Sequence, residues 1–239
     1  MRRIEKRAEP QELTQWRAAN QADPGGGGIN YGYALLRQSS AVVNRLVDSL
    51  LAEQGGLCAY TGRRIDRDST HVEHLRPQTP WKAHRGLDVT YSNLVGCWPQ
   101  PNGPRGQYGA HPKEDWPAPG QEAHFVSPLS NGCEARFIFN QRGEIKTTDA
   151  AAAETVRRLK LDHHLLTALR RAEIDSVLGA TRNLPLKRAR SRLRSIEEAE
   201  ATVNTGGNAI LDPYCFALKQ ALQKHIRSLE IIGQTKAQQ

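Results

Sequence analysis

Residues 71–78 read His71-Val72-Glu73-His74-Leu75-Arg76-Pro77-Gln78, and further along comes Tyr91-Ser92-Asn93-Leu94. An acid beside a histidine is the donor set that phosphodiester hydrolysis requires. One group takes a proton from water, and the other holds a divalent cation that neutralises charge on the phosphate and the leaving oxygen. On a strand, adjacent side chains point to opposite faces, so twist or a bulge has to turn Glu73 and His74 toward one phosphate. An amide such as that of Asn93 can brace the intervening loop or orient the base. His71 shares the strand face of Glu73, and a structural role is the simpler reading for it.

The surroundings of this stretch are organised in three parts. Residues 1–30 are polar and end in Asp23-Pro24-Gly25-Gly26-Gly27-Gly28, a run read as neither strand nor helix. A helix follows, with Val42/Val43, Leu46/Val47 and Leu50/Leu51 on one face, Ser39 or Ser40 at its start and Gly55-Gly56 as its stop. From Leu57 to about Trp116 the periodicity is short, as expected of a loop-rich unit built around a site. Phe137, Phe139, Gly143 and Ile145 predict a hairpin over 135–147. Beyond Asp149 the pattern is helical. Val156 and Leu159 share a face, Asp162 is placed to cap a second helix carrying Leu165/Leu169 and Ile174/Val177/Leu178, and Asp212-Pro213 opens a third with Leu218, Leu222, Ile226 and Leu229 in a stripe. The expected fold class is α+β, with an N-terminal arm and helix at 1–55, a core built around the site at 56–147 and a C-terminal helical region at 148–239.

Composition narrows the classes of function. The 239 residues carry 33 Lys+Arg against 25 Asp+Glu, a net charge of +8, with a pI near 9.5 and a mean hydropathy of −0.62. Such a balance fits an anionic partner, nucleic acid first, although it also serves solubility alone. No run of about 18 apolar residues is present, so no membrane helix is expected. The charged opening MRRIEKRAEP lacks the apolar core of a secretory signal. Cys58, Cys97, Cys133 and Cys215 are scattered, which favours thiols over disulfides and a cytoplasmic location.

The ordered set of motifs resembles the HNH (ββα-metal) endonucleases, and within them the Septu PtuB-type proteins that also occur in retron defence systems. It comprises Arg2-Arg3-Ile4-Glu5-Lys6 with Pro10, Gly55-Gly56-Leu57-Cys58-Ala59-Tyr60, VEHLRPQ at 72–78 and SNLVGC at 92–97. Lys113 with Asp115-Trp116, SPL at 127–129, CEARF at 133–137 and Gly143-Glu144-Ile145 complete it. The resemblance covers roughly residues 1–175. It implies a small ββα-metal module, with Glu73 as first metal ligand, His74 as general base and Asn93 as the central Asn. For the third position it leaves two residues open: His111, slightly favoured, and Asn102. It further implies Mg²⁺ or Mn²⁺ as cofactor, a PtuA-type ATPase as partner, and in retron versions a reverse transcriptase and its DNA product.

Two positions depart from that pattern. Thr61 and Tyr108 stand where relatives carry Cys, so a four-ligand structural zinc site is not expected, and Cys58 and Cys97 are read as buried thiols facing each other. Arg76 and Lys113 are either phosphate clamps or solvated charges. The basic run Lys187-Arg188-Ala189-Arg190-Ser191-Arg192-Leu193-Arg194 either tracks a nucleic-acid backbone, forms a solvated helix face or meets an acidic protein. The stripe over 213–231 is core or a docking surface. Nothing in the motif separates a DNA substrate from a structured RNA such as tRNA. The reading from another class is a catalytically inactive adaptor that binds nucleic acid or the ATPase.

Overall fold

The computed structural model describes residues 1–20, 32–100 and 103–237; the Gly25–Gly28 run and Asn102 lie outside the described residues. At its centre, β1 (His71–His74) pairs antiparallel with β2 (Leu94–Cys97). His71 faces Cys97, Val72 faces Gly96, Glu73 faces Val95 and His74 faces Leu94. Every residue of β2 is buried, whereas β1 alternates between half-buried and buried. That alternation leaves His71 and Glu73 on the more accessible face.

β2 is backed by α3 (Ser40–Gln54). The last residue of that helix does the work of a third strand. The Gln54 amide donates to the Gly96 carbonyl at 2.8 Å and accepts from the Gly96 N–H at 2.7 Å. Gly96 has no side chain to keep the amide away: a Cβ there would sit 3.4 Å from Gln54 Nε2 and 3.3 Å from Thr70 Cγ2. Buried backbone groups need partners, and a side chain supplies both here. The helix stops at Gly55, whose φ of 62° is left-handed and whose added Cβ would meet Leu211 Cγ at 2.5 Å. Ser39 stands at the start as expected, yet its hydroxyl makes no cap; it accepts from the Trp16 indole N–H at 3.0 Å instead.

Trp16 belongs to α1 (Gln11–Asn20), a helix the polar composition of residues 1–30 concealed. Two buried residues, Leu13 and Trp16, suffice to seat it on α3. A single turn, α2 (Tyr33–Leu36), follows. The N-terminal arm is tied to β2 through fully buried Glu53. Its carboxylate pairs with Lys6 and accepts from the Arg7 N–H and the Tyr91 hydroxyl, while Lys6 also donates to the Leu94 carbonyl at 3.0 Å.

After β2 comes α4 (Ala110–Lys113), one turn only. The resemblance implies a helix after the hairpin, and among the described residues the first helix after β2 is this single turn. β3 (Ile138–Phe139) and β4 (Ile145–Lys146) form the expected hairpin. Asp149 caps α5 (Ala150–Leu159), accepting from the Ala152 N–H at 2.7 Å. In α6 (His164–Leu178) the cap is the His163 imidazole rather than Asp162. The core face of α6 is Leu166, Arg170, Ile174 and Leu178; Leu165 and Leu169 are exposed, against expectation. Arg170 takes the inner place because its guanidinium satisfies the Gly143 and Leu161 carbonyls. The basic run forms part of α7 (Leu186–Asn204), which packs on α8 (Cys215–Ala237). α8 starts two residues later than its Asp-Pro signal, and Leu218, Leu222 and Ile226 are buried as predicted. One apolar cluster joins Met1, Leu57, Val95, Phe137, Leu166 and Leu222, so all three sequence regions contribute to the same core. No helix among the described residues is long and apolar enough to cross a membrane.

Candidate functional site

His74 Nε2 lies 2.8 Å from the carbonyl oxygen of Asp88. A carbonyl only accepts, so Nε2 carries the proton and Nδ1 keeps its lone pair. Burial pushes the His74 pKa below its usual value, outweighing the Asp88 carbonyl and the Glu73 charge. The imidazole is therefore neutral at pH 7 and able to take a proton. The ring of Tyr33 meets it edge-on at 4.7 Å between centroids, and the Tyr33 N–H donates to Asp88 Oδ2 at 2.7 Å. Residue 33 and residue 88 together hold the histidine in one orientation.

The loop that carries Asp88 is braced by Asn93, at Arg76 and at the residue before Asp88. Asn93 Oδ1 accepts from the Arg76 N–H at 2.8 Å. Its Nδ2 donates to the carbonyls of Arg76 and Leu87, each at 3.1 Å. One buried amide thus pins the two ends of the loop that joins β1 to β2. Leu87 precedes Asp88, so the chain of constraint runs from Asn93 through the loop to His74.

Glu73 is flanked on both sides. Lys113 Nζ sits 2.8 Å from Glu73 Oε1 and donates to the His74 carbonyl at 2.8 Å. The Tyr60 hydroxyl reaches Oε1 at 3.5 Å, and His71 Nε2 lies 3.6 Å from Oε2. Burial would raise the Glu73 pKa, but Lys113 and His71 bring it down to about 2. Lys113 is 1% exposed. It is an inner brace of the hairpin, not the phosphate clamp or the solvated charge considered from sequence. Arg76 is exposed, its guanidinium over the Trp81 ring at 5.0 Å.

A divalent cation fits this donor set at two positions. His71 Nδ1 donates to the Pro99 carbonyl, so Nε2 faces Glu73; without a cation the carboxylate raises the His71 pKa and favours a proton on that nitrogen, and a metal ion would take the proton's place. A spacing of 3.6 Å between Nε2 and Glu73 Oε2 suits two ligands each ~2.1 Å from a shared ion. His111 is close, its ring 5.7 Å from that of His71. However, its Nδ1 accepts from the Gly106 N–H at 2.7 Å, so the neutral ring carries its proton on Nε2. In this arrangement His111 offers a donor and not a ligand, contrary to the role expected of it. Among the described residues no group of three His, Cys, Asp or Glu is arranged to hold a metal, and Asn102 lies outside them.

Cys58 and Cys97 are free and buried beneath the hairpin. Trp98 N–H reaches Cys58 Sγ at 3.5 Å. Burial raises the Cys97 thiol; for Cys58 burial is outweighed by hydrogen bonds from Cys97 and Thr61, which lower it to about 6. The basic run stands apart from the hairpin cluster. Two of its five cations are engaged within the fold, Arg190 by Glu230 and Arg192 by Asp212, while Lys187, Arg188 and Arg194 are exposed.

Sequence reasoning left out two contributors. Tyr33 and the Asp88 carbonyl carry no sequence signal, since one acts by contact and the other through backbone. His71 had a signal, its place two residues before Glu73 on the same strand face.

No family model matches the chain. Over 98 residues, 41% of its length, it is 30% identical to a protein of Vibrio cholerae serotype O1 biovar El Tor named "Retron Vc95 putative HNH endonuclease". The matched stretch spans 44% of that relative. The similarity supports a relationship with endonucleases of the HNH type, and the mixed helix-and-sheet fold with small two-stranded sheets is compatible with it.

Proposed function

We propose that this protein is a metal-dependent HNH endonuclease that hydrolyses phosphodiester bonds in DNA or structured RNA. The observation that carries the reading is the His74–Asp88 hydrogen bond: it fixes the tautomer with the proton on Nε2 and leaves Nδ1 as the lone pair of an imidazole that burial keeps neutral, one residue along the strand from an ionised carboxylate. His74 Nδ1 takes a proton from water as the water oxygen attacks phosphorus. The bond from phosphorus to the leaving oxygen breaks, that oxygen gains a proton from solvent, and His74 returns its proton to water. Glu73 and His71 would hold Mg²⁺ or Mn²⁺, which supplies charge neutralisation at the phosphate. Asn93 keeps the loop, and through it the base, in register.

In this reading the chain is the Septu PtuB-type effector of an anti-phage complex, cytoplasmic and held in check by a PtuA-type ATPase. The motif order through residue 175 and the word retron in the name of its relative support that context. A nuclease released from control would be toxic, which gives such a complex a physical purpose.

The test uses purified protein, alone and with the ATPase, incubated with Mg²⁺ or Mn²⁺ and labelled DNA or tRNA. Cleavage that chelator and His74→Ala both abolish supports the proposal, and the substrate cut distinguishes deoxyribonuclease from ribonuclease. Binding without cleavage of either, in every combination, replaces it with the adaptor reading. The single-turn α4 is the feature that favours that alternative.

A further inference from the structure

A cavity opens on the loop between β1 and β2, beside His84. It measures about 320 Å³ and is lined by Arg76, Trp81, Lys82, Arg85 and Asp88 among others. Its floor is rigid: Trp81 is buried, and its indole N–H donates to the Pro117 carbonyl at 2.8 Å. Its two ends are fixed by Asn93, which bonds Arg76 at one side and Leu87 at the other. One wall is Asp88, the residue whose carbonyl orients His74.

The charge of this cavity is one-sided. Arg76 lies over Trp81, and neither Arg76 nor Lys82 forms an ion pair within the described residues. Asp88 is the one carboxylate among the lining residues, and a backbone N–H already engages its Oδ2. Trp81 is buried, and its ring is met by Arg76 and by the His84 ring, so the indole offers little open face on which a base could stack. What remains is a cationic seat of small volume, formed by a fork-shaped donor and a flexible ammonium. That chemistry suits a phosphate more than a nucleobase.

We propose that this pocket seats a backbone phosphate of the nucleic-acid substrate next to the scissile one, with Arg76 and Lys82 as its ligands. The inference rests on the phosphodiesterase reading above and adds to it the part of the strand that the enzyme grips. Through Asp88 the seat and the general base share one residue, so seating the strand also sets its distance from His74.

Both residues are exposed, so Arg76→Gln, Lys82→Gln and the double variant are expected to fold. Binding of a fluorescent DNA duplex and of a fluorescent RNA hairpin is measured in chelator over a range of salt. Each lost phosphate contact lowers the slope of log affinity against log salt by about 1, so the double variant loses about 2. Lys146→Gln, on β4, keeps the wild-type slope. Cleavage is followed in parallel with Mg²⁺ or Mn²⁺. A wild type that cleaves while the double variant keeps its slope overturns the pocket alone. A wild type that cleaves nothing, with the slope change present, overturns the hydrolase and leaves the phosphate seat standing. A wild type that binds neither nucleic acid overturns both.

Discussion

Lys113 and Glu73 meet as an ion pair at 2.8 Å, and the same ammonium also holds the His74 carbonyl. One cation thereby fixes the carboxylate and the backbone of the next residue, the proposed base His74. Because Lys113 is sealed from water, Glu73 keeps its charge in a place where an unpaired carboxylate would take up a proton.

Lys113→Met should leave Glu73 as a poorly compensated buried charge. The expected loss is about 3–5 kcal/mol, the usual cost of removing one partner from a buried pair. Urea unfolding of the single variant and of Lys113→Met with Glu73→Gln checks it: the double variant should recover much of the loss. Equal instability of the two would show that the pair adds nothing.

The Glu73 carboxyl sits at about 2 in the folded chain, below its ordinary 4.5. A depressed folded pKa contributes stability that is complete above the unfolded value and lost as pH falls through the folded one. Wild type should therefore lose more stability than Glu73→Gln on acidification from about 4.5 toward about 2. Parallel unfolding midpoints for the two across that window contradict the coupling.

His74 works as a base only when neutral, and burial lowers its pKa from 6.5. The acid limb of kcat/KM should accordingly have its midpoint below 6.5, with cleavage lost as pH falls through it. His74→Ala should abolish cleavage and retain the fold by circular dichroism. A midpoint above 6.5, or residual wild-type nicking by that variant, removes His74 from the role.

Asn93→Ala breaks three hydrogen bonds at once. A stability cost of about 1–3 kcal/mol is expected, since the groups it served are partly buried. The catalytic loss should be larger, on the order of 10²-fold in kcat, because the loop that aims the base is released. Full activity at reduced stability would make Asn93 a structural residue only.

Much of this site was legible beforehand. Glu73, His74 and Asn93 are adjacent in sequence or carried by an ordered motif, but the regular pairing of β1 with β2 has none of the bulge expected between Glu73 and His74, and the strand alternation sets the two side chains on opposite faces. Lys113 was visible as a residue but not as a brace, because nothing local records that a one-turn helix buries it against β1. α1 was not expected, and α7 was expected only as one reading of its basic run, for a shared reason. Each buries few side chains, Leu13 and Trp16 in one case, Ala189, Ile196, Glu200 and Val203 in the other, so their apolar periodicity is thin. Tertiary docking, not propensity, makes them helices.

By itself the sequence determined the acid–histidine pair, the strand and hairpin around it, the buried stripe of α8 and the positive balance that fits an anionic substrate. These depend on neighbours in the chain and on period. Only the tertiary structure decided which ring nitrogen of His74 and of His111 is engaged, that His71 rather than His111 sets its Nε2 toward Glu73, that Leu165 and Leu169 look outward, and that Gln54 completes the sheet. Those outcomes depend on which carbonyl or N–H lies within hydrogen-bond reach. That in turn is settled by packing between segments far apart in sequence, where unpaired polar groups are too costly to leave buried.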